Sequence, residues 1–406
     1  MDPSTSLILE IQSGLINAAI VSATSTTSVV TSGVSAPTRI LHFVSVPIAG
    51  APHENTGRLL ASMTKALSQA LQSLPNVHAV SRADCILSSP WIVSRTKSLT
   101  VKFSKDTLIT KKLIGSSIVP EREAMLRSAA GNGAGSAHSS AGDRTATDLT
   151  PIEQKIFEIK INGYPTSDIA GKKGRELGIY FAVSMSAEAI IEAIRDTALR
   201  HVSPTVGRRM AYHSSILLGY AASRETTGAE NYILGHIHSE LSDIALVERG
   251  ITTLIASFPF GYSSLIRETS KALGEPLAAT RSKIVLHGLK SLHREETERM
   301  SRAIETVMRK RWVDEFLKAV TSSDENKNIH IGPAEISRQL PYAIFLAVPT
   351  EFYPHFKKAL EEGKTSTNLD KEKLEKEKKD DNIIHRAQMF IVNHINTGLI
   401  HTILKL

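Results

Sequence analysis

The stretch from Gly235 to Asp243, GHIHSELSD, gathers side chains whose types and spacing could do chemistry. On a strand, residues two apart share a face, so His236 and His238 can reach one ion together, with Asp243 as a third ligand. Two imidazoles and a carboxylate suit zinc or iron. The same residues also suit a hairpin turn of the phosphate-cradling kind, with its glycines replaced by His238 and Ser239. Backbone N–H groups approach phosphate oxygens closely only where no side chain fills the space. H-x-H is short and the chain holds 15 histidines, so a turn that no longer grips phosphate is the reading carried forward.

A second stretch with the same grammar opens the chain. Leu7, Leu9 and Ile11 alternate with Ile8 and Glu10, Gln12-Ser13-Gly14 supplies turn chemistry, and Leu15 to Val21 returns as a strand. Other catalytic patterns are missing: the sequence has no G-x-x-x-x-G-K-[ST], no G-x-S-x-G and no H-E-x-x-H. The run GKKGREL at 171–177 lacks the upstream glycine and following hydroxyl of a phosphate loop, and is expected as a solvated loop.

The elements that must position these residues follow from periodicity. A third strand at RILHFVSVPI precedes a helix in which Leu60, Met63, Leu67, Leu71 and Leu74 recur at helical spacing. Residues 85–202 read as a compact α+β block with strands near both ends, Phe157, Ile159 and Ile161 sharing one strand face, and a final helix. Within it, 128–147 is too poor in large apolar groups to fold alone and is expected as a mobile loop. After 230 the strand–turn–strand grammar repeats, followed by helices, a late strand at YAIFLAV, a charged linker at 361–382 and a C-terminal segment at 383–406. That segment spaces Ile391, Ile395, Leu399 and Ile403 four apart but carries only Arg386 and Lys405 as fixed positive charges. Packing back on the first lobe is therefore expected ahead of lying on a membrane.

Composition narrows the classes. At 406 residues the chain exceeds one ordinary domain. The net charge is +7, yet 48 basic residues are mixed with 41 acidic ones and aromatics are only 5%, so no nucleic-acid partner is expected. Cys85 is the only cysteine, which excludes an intramolecular disulfide and a cysteine-based zinc site. The first residues lack a signal-peptide pattern and no stretch approaches the ~20 apolar residues that span a bilayer, so a cytoplasmic location is expected, with the inner face of the membrane as its limit.

Two hairpins of similar grammar around an inserted α+β block make a recognisable order. The chain resembles the bacterial actin-like family of the cell-division protein FtsA and the pilus-assembly protein PilM. Asn162-Gly163-Tyr164 and Gly171-Lys172-Lys173 match the family's insertion, and Glu240, Ser242, Asp243 and the SFPFG run at 257–261 match its second hairpin and third strand. The resemblance implies an α/β, two-lobed, actin-like (ribonuclease H-like) fold. It divides the chain into a first lobe at 1–84, the insertion at 85–202 and the rest of the core at 203–360. It also implies ATP with Mg²⁺ held by the two turns and a late glycine-rich loop.

Against that pattern the sequence departs at each contact. The first acid is Glu10 and the expected glycine is Gln12, although Ser13 and Gly14 remain able to donate. The family's second aspartate aligns with His236, its glycines with His238 and Ser239, and the adenosine loop with Ala347-Val348-Pro349. The expectation is a scaffold or adaptor of division or envelope-complex assembly with a degenerate, hydrolytically inactive nucleotide site. Its partners would be proteins of that machinery, including a second copy bound through 85–202. The alternatives are a polymerising ATPase that rebuilds its site from Glu10, Ser13, Gly14 and Asp243, and a metal enzyme using His236, His238 and Asp243.

Overall fold

The computed structural model describes residues 5–23, 38–49, 56–132, 148–321 and 343–363, which fall into two compact units. The first holds the described residues up to Ala221 with Ile251–Ile255; the second holds Ala222–Gly250 and the described residues from Ala256. The expected segments at 364–382 and 383–406 lie outside the described residues.

In the first unit, Thr5–Ile11 (β1) and Leu15–Ala23 (β2) form the hairpin that their alternation predicts, closing at Ile11↔Ile16. Thr38–Pro47 (β3) continues the antiparallel meander. Thr56–Gln72 (α1) then buries Met63, Leu67 and Leu71, and the chain returns as Arg82–Leu87 (β4), parallel to β1. The side chains of β1 are buried along almost its whole length, because a strand with sheet neighbours on both sides and cover on both faces has no solvent side.

The inserted block comprises Val93–Leu108 (β5), Lys111–Asn132 (α2), Leu149–Ile161 (β6), Tyr164–Thr166 (β7) and Lys173–Ala187 (β8), with sheet order β5-β8-β6-β7. Leu177, Ile179, Phe181, Val183 and Met185 share the β8 face that packs with Ile114, Ile118 and Met125 of α2. Periodicity does not announce α2: Gly115, two serines and Pro120 interrupt its apolar pattern. The helix runs to Asn132, so the first residues of the loop expected at 128–147 are helical; 133–147 are not described. A bulge between Ile156 and Glu158 also turns Phe157 away from Ile159, and its ring meets Tyr220 edge-on at 5.2 Å. Asn162 and Gly163 take positive φ, 52° and 83°, as a two-residue hairpin turn requires. The Asn-Gly-Tyr run thus builds the turn joining β6 and β7.

Glu188–Leu199 (α3) packs on α1. After Pro204–Arg208 (α4), Ala211–Ser214 (β9) adds a parallel edge strand, giving the order β3-β2-β1-β4-β9, and Ser215–Thr227 (α5) leads out of the unit.

A second four-stranded sheet, which apart from Ile251–Ile255 belongs to the second unit, repeats the first four strands in the same order. Tyr232–Ile237 (β10) and Ser242–Glu248 (β11) form the hairpin, Ile251–Phe258 (β12) extends it, and Ala343–Ala347 (β13) lies parallel to β10. Around this sheet's core lie Tyr262–Leu273 (α6), Leu277–Gly288 (α7), Arg294–Val307 (α8), Asp314–Thr321 (α9) and Tyr353–Gly363 (α10). Helix α10 takes in 361–363, the first residues of the expected linker. The sequence pattern from Met300 to Phe316 reads as one helix, but a π-helical turn at Met308–Val313 separates α8 from α9. In that turn Trp312 is buried, its ring against Phe316 and Phe356 and its Nε1 donating to Ser242 Oγ at 3.2 Å.

His355 ties α10 to α7 by donating from Nε2 to the Ile284 carbonyl at 3.0 Å. Burial lowers its pKa from 6.5 to about 4. The unfolded chain therefore takes up this proton near pH 6.5 and the folded chain only near 4, so its contribution to stability is lost as pH falls through that window. At pH 5 the loss is about 2 kcal/mol relative to pH 7.5. In denaturant titrations across this range, His355→Gln should show a correspondingly shallower fall in stability than the wild type.

Candidate functional site

The two hairpin turns are built alike. In the first unit Gln12 N donates to Leu15 O at 2.9 Å, and in the second His238 N donates to Leu241 O at 2.9 Å. Glu10 faces Asn17 across the first ladder and His236 faces Asp243 across the second. Glu10, Gln12 and Asn17 therefore hold the hairpin positions that His236, His238 and Asp243 hold in the second.

In the first hairpin the carboxylate of Glu10 is enclosed. Gln12 Nε2 donates to Oε1 and Asn17 Nδ2 to Oε2, each at 2.8 Å, and all three residues are at least 96% buried. The backbone carbonyl of Gln12 accepts from Trp91 Nε1 at 2.8 Å, and Gly14 O accepts from Ile48 N at 3.0 Å. Ser13 is buried at the turn beside them. Both carboxylate oxygens thus receive charge-assisted hydrogen bonds from within the hairpin. Asn17 and Trp91 were not among the sequence candidates. Asn17 could have been found by counting across the hairpin from Glu10, whereas the Trp91 contact joins positions 79 apart and leaves no local signal.

In the second hairpin the acid sits on the other strand. His238, fully buried, bonds through Nε2 to Asp243 Oδ2 at 3.1 Å, and Ser257 Oγ donates to Asp243 Oδ1 at 2.6 Å. A carboxylate only accepts, so Nε2 carries the hydrogen; Nδ1 is buried with no hydrogen-bond partner among the described residues. The His236 ring lies 4.1 Å from the His238 ring, tilted by 44°. The two histidines do share a face, but His238 meets Asp243 through a hydrogen bond and His236 through its ring. Among the described residues, no group of three or more His, Cys, Asp or Glu is placed to hold an ion.

The second turn is also stapled to α6. His238 O accepts from Tyr262 N at 3.0 Å and Ser239 O from Ser263 N at 2.8 Å, so carbonyl oxygens occupy the first N–H groups of that helix. Those are the groups a helix start offers to an anion. Ser239 Oγ meets Ser263 Oγ at 2.7 Å. Glu240 receives both Arg267 guanidinium arms at 2.8 Å, and this pair raises the Arg267 pKa. Arg267 and Ser263 lie outside every motif read from the sequence. His236 also lies beside Ala347 of β13, after which Val348 is buried and Pro349 O accepts from Phe352 and Tyr353 N–H at 2.9 and 3.2 Å. The expected adenosine loop is here a turn into α10.

No protein-family model matches the sequence, and no curated protein matches it. Solved structures do. A structure of the PilM–PilN type IV pilus biogenesis complex aligns over 88% of this chain and 86% of that chain, with a TM-score of 0.51 and 11% identity. The ethanolamine utilization protein EutJ of Carboxydothermus hydrogenoformans aligns over 88% and 81%, with a TM-score of 0.40 and 8% identity. A Bacteroides thetaiotaomicron protein of unknown function with an actin-like ATPase fold aligns over 68% and 79%, at 0.30 and 10%. Likeness at such identities speaks to fold alone. The fold is the actin-like one, an α/β architecture with duplicated ribonuclease H-like sheets, as the sequence resemblance implied.

The staple to α6 depends on Gly261, where an added Cβ would run into the carbonyl oxygens of His238 and Ser239. Gly261→Ala should lower stability by about 1–3 kcal/mol, the scale of overpacking against backbone that cannot yield. Gly115→Ala, with open space around its Cβ inside α2, should be neutral or raise stability by up to about 1 kcal/mol. Thermal unfolding of the two variants beside the wild type checks both signs.

Proposed function

We propose that this chain is a PilM-like scaffold or adaptor of envelope-complex or cell-division assembly whose nucleotide site is degenerate and hydrolytically inactive. The observation that carries the reading is the closure of both turns. The Glu10 carboxylate is satisfied by Gln12 and Asn17, and the Asp243 carboxylate by His238 and Ser257. Holding Mg²⁺ through its waters needs carboxylate oxygens free to accept from those waters. Each turn is also filled by a side chain, Gln12 or His238, where phosphate oxygens would need bare backbone.

The partner side of the reading rests on the fold. The structural relative that aligns with a TM-score of 0.51 is a PilM–PilN complex of type IV pilus biogenesis. On this reading the chain works by presenting surfaces, and the 85–202 block is the surface for a partner or for a second copy. ATP and Mg²⁺ are then no working cofactors, and the site of action is the cytoplasmic side of the envelope.

Isothermal calorimetry of the full chain with ATP, with and without Mg²⁺, tests the nucleotide half of the proposal. No heat of binding up to millimolar ATP, and no phosphate release, is the expected result. Tight Mg²⁺-dependent binding with turnover that Glu10→Gln abolishes would instead establish a working ATPase and overturn the reading.

A further inference from the structure

One end of the inserted sheet concentrates positive charge. There β5 ends at Leu108, α2 begins at Lys111 and β8 begins at Lys173. The segments run side by side, with Leu108 paired to Lys173, Thr107 to Gly174, and Ile109 N donating to Lys172 O at 2.9 Å. Lys105, Lys111, Lys112, Lys172, Lys173 and Arg175 are all exposed at this end. Arg175 is paired with Asp106 at 3.2 Å and Lys172 bonds to Thr166 Oγ1. Among the described residues, Lys105, Lys111, Lys112 and Lys173 have no carboxylate partner.

Two features set this end apart from an ordinary solvated surface. The first turn of α2 carries Lys111 and Lys112 and no acid, although a helix start already bears partial positive charge and favours carboxylates. Two large apolar side chains also stand out into solvent at the same end, Leu108 at 47% and Tyr164 at 76% exposure. The local arrangement is unfavourable for the isolated protein, and an anionic surface would reverse its sign.

We propose that this end of the inserted sheet docks on an anionic lipid bilayer. The four unpaired cations are all lysines, and the one arginine is held by Asp106. Arginine forks are the usual grip on specific carboxylates and nucleic-acid phosphates, whereas lysine is a hydrated point charge on a flexible stem. Such charges suit a fluid surface without fixed partners, and juxtaposed lysines gain from its negative potential. Tyrosine favours the headgroup level of a membrane, and a leucine beside it adds apolar contact. A single-stranded nucleic acid would call for a platform of several stacking aromatics. The site shares no residue with either hairpin turn, and the proposal does not rest on the reading of the nucleotide site.

Cosedimentation of the full chain with vesicles tests the proposal, using phosphatidylcholine with a rising fraction of phosphatidylglycerol, at low and high salt. Wild type should bind more strongly as the anionic fraction rises and less strongly as salt rises. Each lysine near the surface strengthens binding about fivefold, so the combined Lys105→Gln, Lys111→Gln, Lys112→Gln, Lys173→Gln variant should lose on the order of several hundredfold. Leu108→Ser with Tyr164→Ser should weaken binding without changing its salt dependence. A control with Lys65, Lys271, Lys290 and Lys310 changed to Gln, all exposed elsewhere, should bind nearly as wild type. Absence of wild-type binding overturns the proposal. So does binding that the four tip substitutions leave intact, which would place the contact elsewhere, for example in 383–406. Tip-dependent binding to polyglutamate or duplex DNA without binding to vesicles would assign the patch to an acidic polymer and equally overturn it.

Discussion

A carboxylate buried at the closed end of a hairpin must be met by hydrogen-bond donors, because leaving it unmet costs far more than any single contact returns. That requirement shapes both hairpins of this chain. Glu10 is met by two amides and Asp243 by an imidazole and a hydroxyl. The acid stands on the first strand in one hairpin and on the second strand in the other, yet each is answered from within its own sheet. The donors that satisfy the charge are also the bulk that fills the turn. Electrostatic satisfaction and the packing of the turn are here one event.

In the second unit the same end of the sheet is fixed a second time. Carbonyl oxygens of His238 and Ser239 cap the start of α6, while Glu240 and Arg267 pair behind them. Ser242 links the turn to the core, donating to Phe260 O at 2.6 Å and accepting from Trp312. The turn is held through backbone and side chain at once, which makes it a structural corner of its unit.

Much of this architecture could be read from periodicity. Apolar runs on either side of each turn mark β1, β2, β10 and β11, which are buried on both faces, and the helical stripe from Leu60 to Leu71 marks α1. The short edge strand β9 and helix α2 were not legible. The first is only four residues long, and the second breaks its own pattern with Gly115 and Pro120. Phe157 was misplaced because a bulge shifts the faces of β6, and a bulge leaves alternation in the sequence intact. At the candidate site the residue types at the turns were visible, but their partners were not. Asn17, Ser257 and Arg267 matter through pairing across a ladder or between elements, and pairing is a property of the fold.

The exchange of the acid between strands bears on how such a chain can change over time. Position 238 now supplies a donor to Asp243, and position 12 supplies one to Glu10. Replacing either residue with glycine removes a donor from a buried charge, at about 1–3 kcal/mol per step. Any route that empties one of these turns therefore meets an uphill first move, whichever residue changes first. Each turn can exchange one hydrogen-bonding side chain for another, while emptying it takes coordinated substitutions at the acid and at its donors.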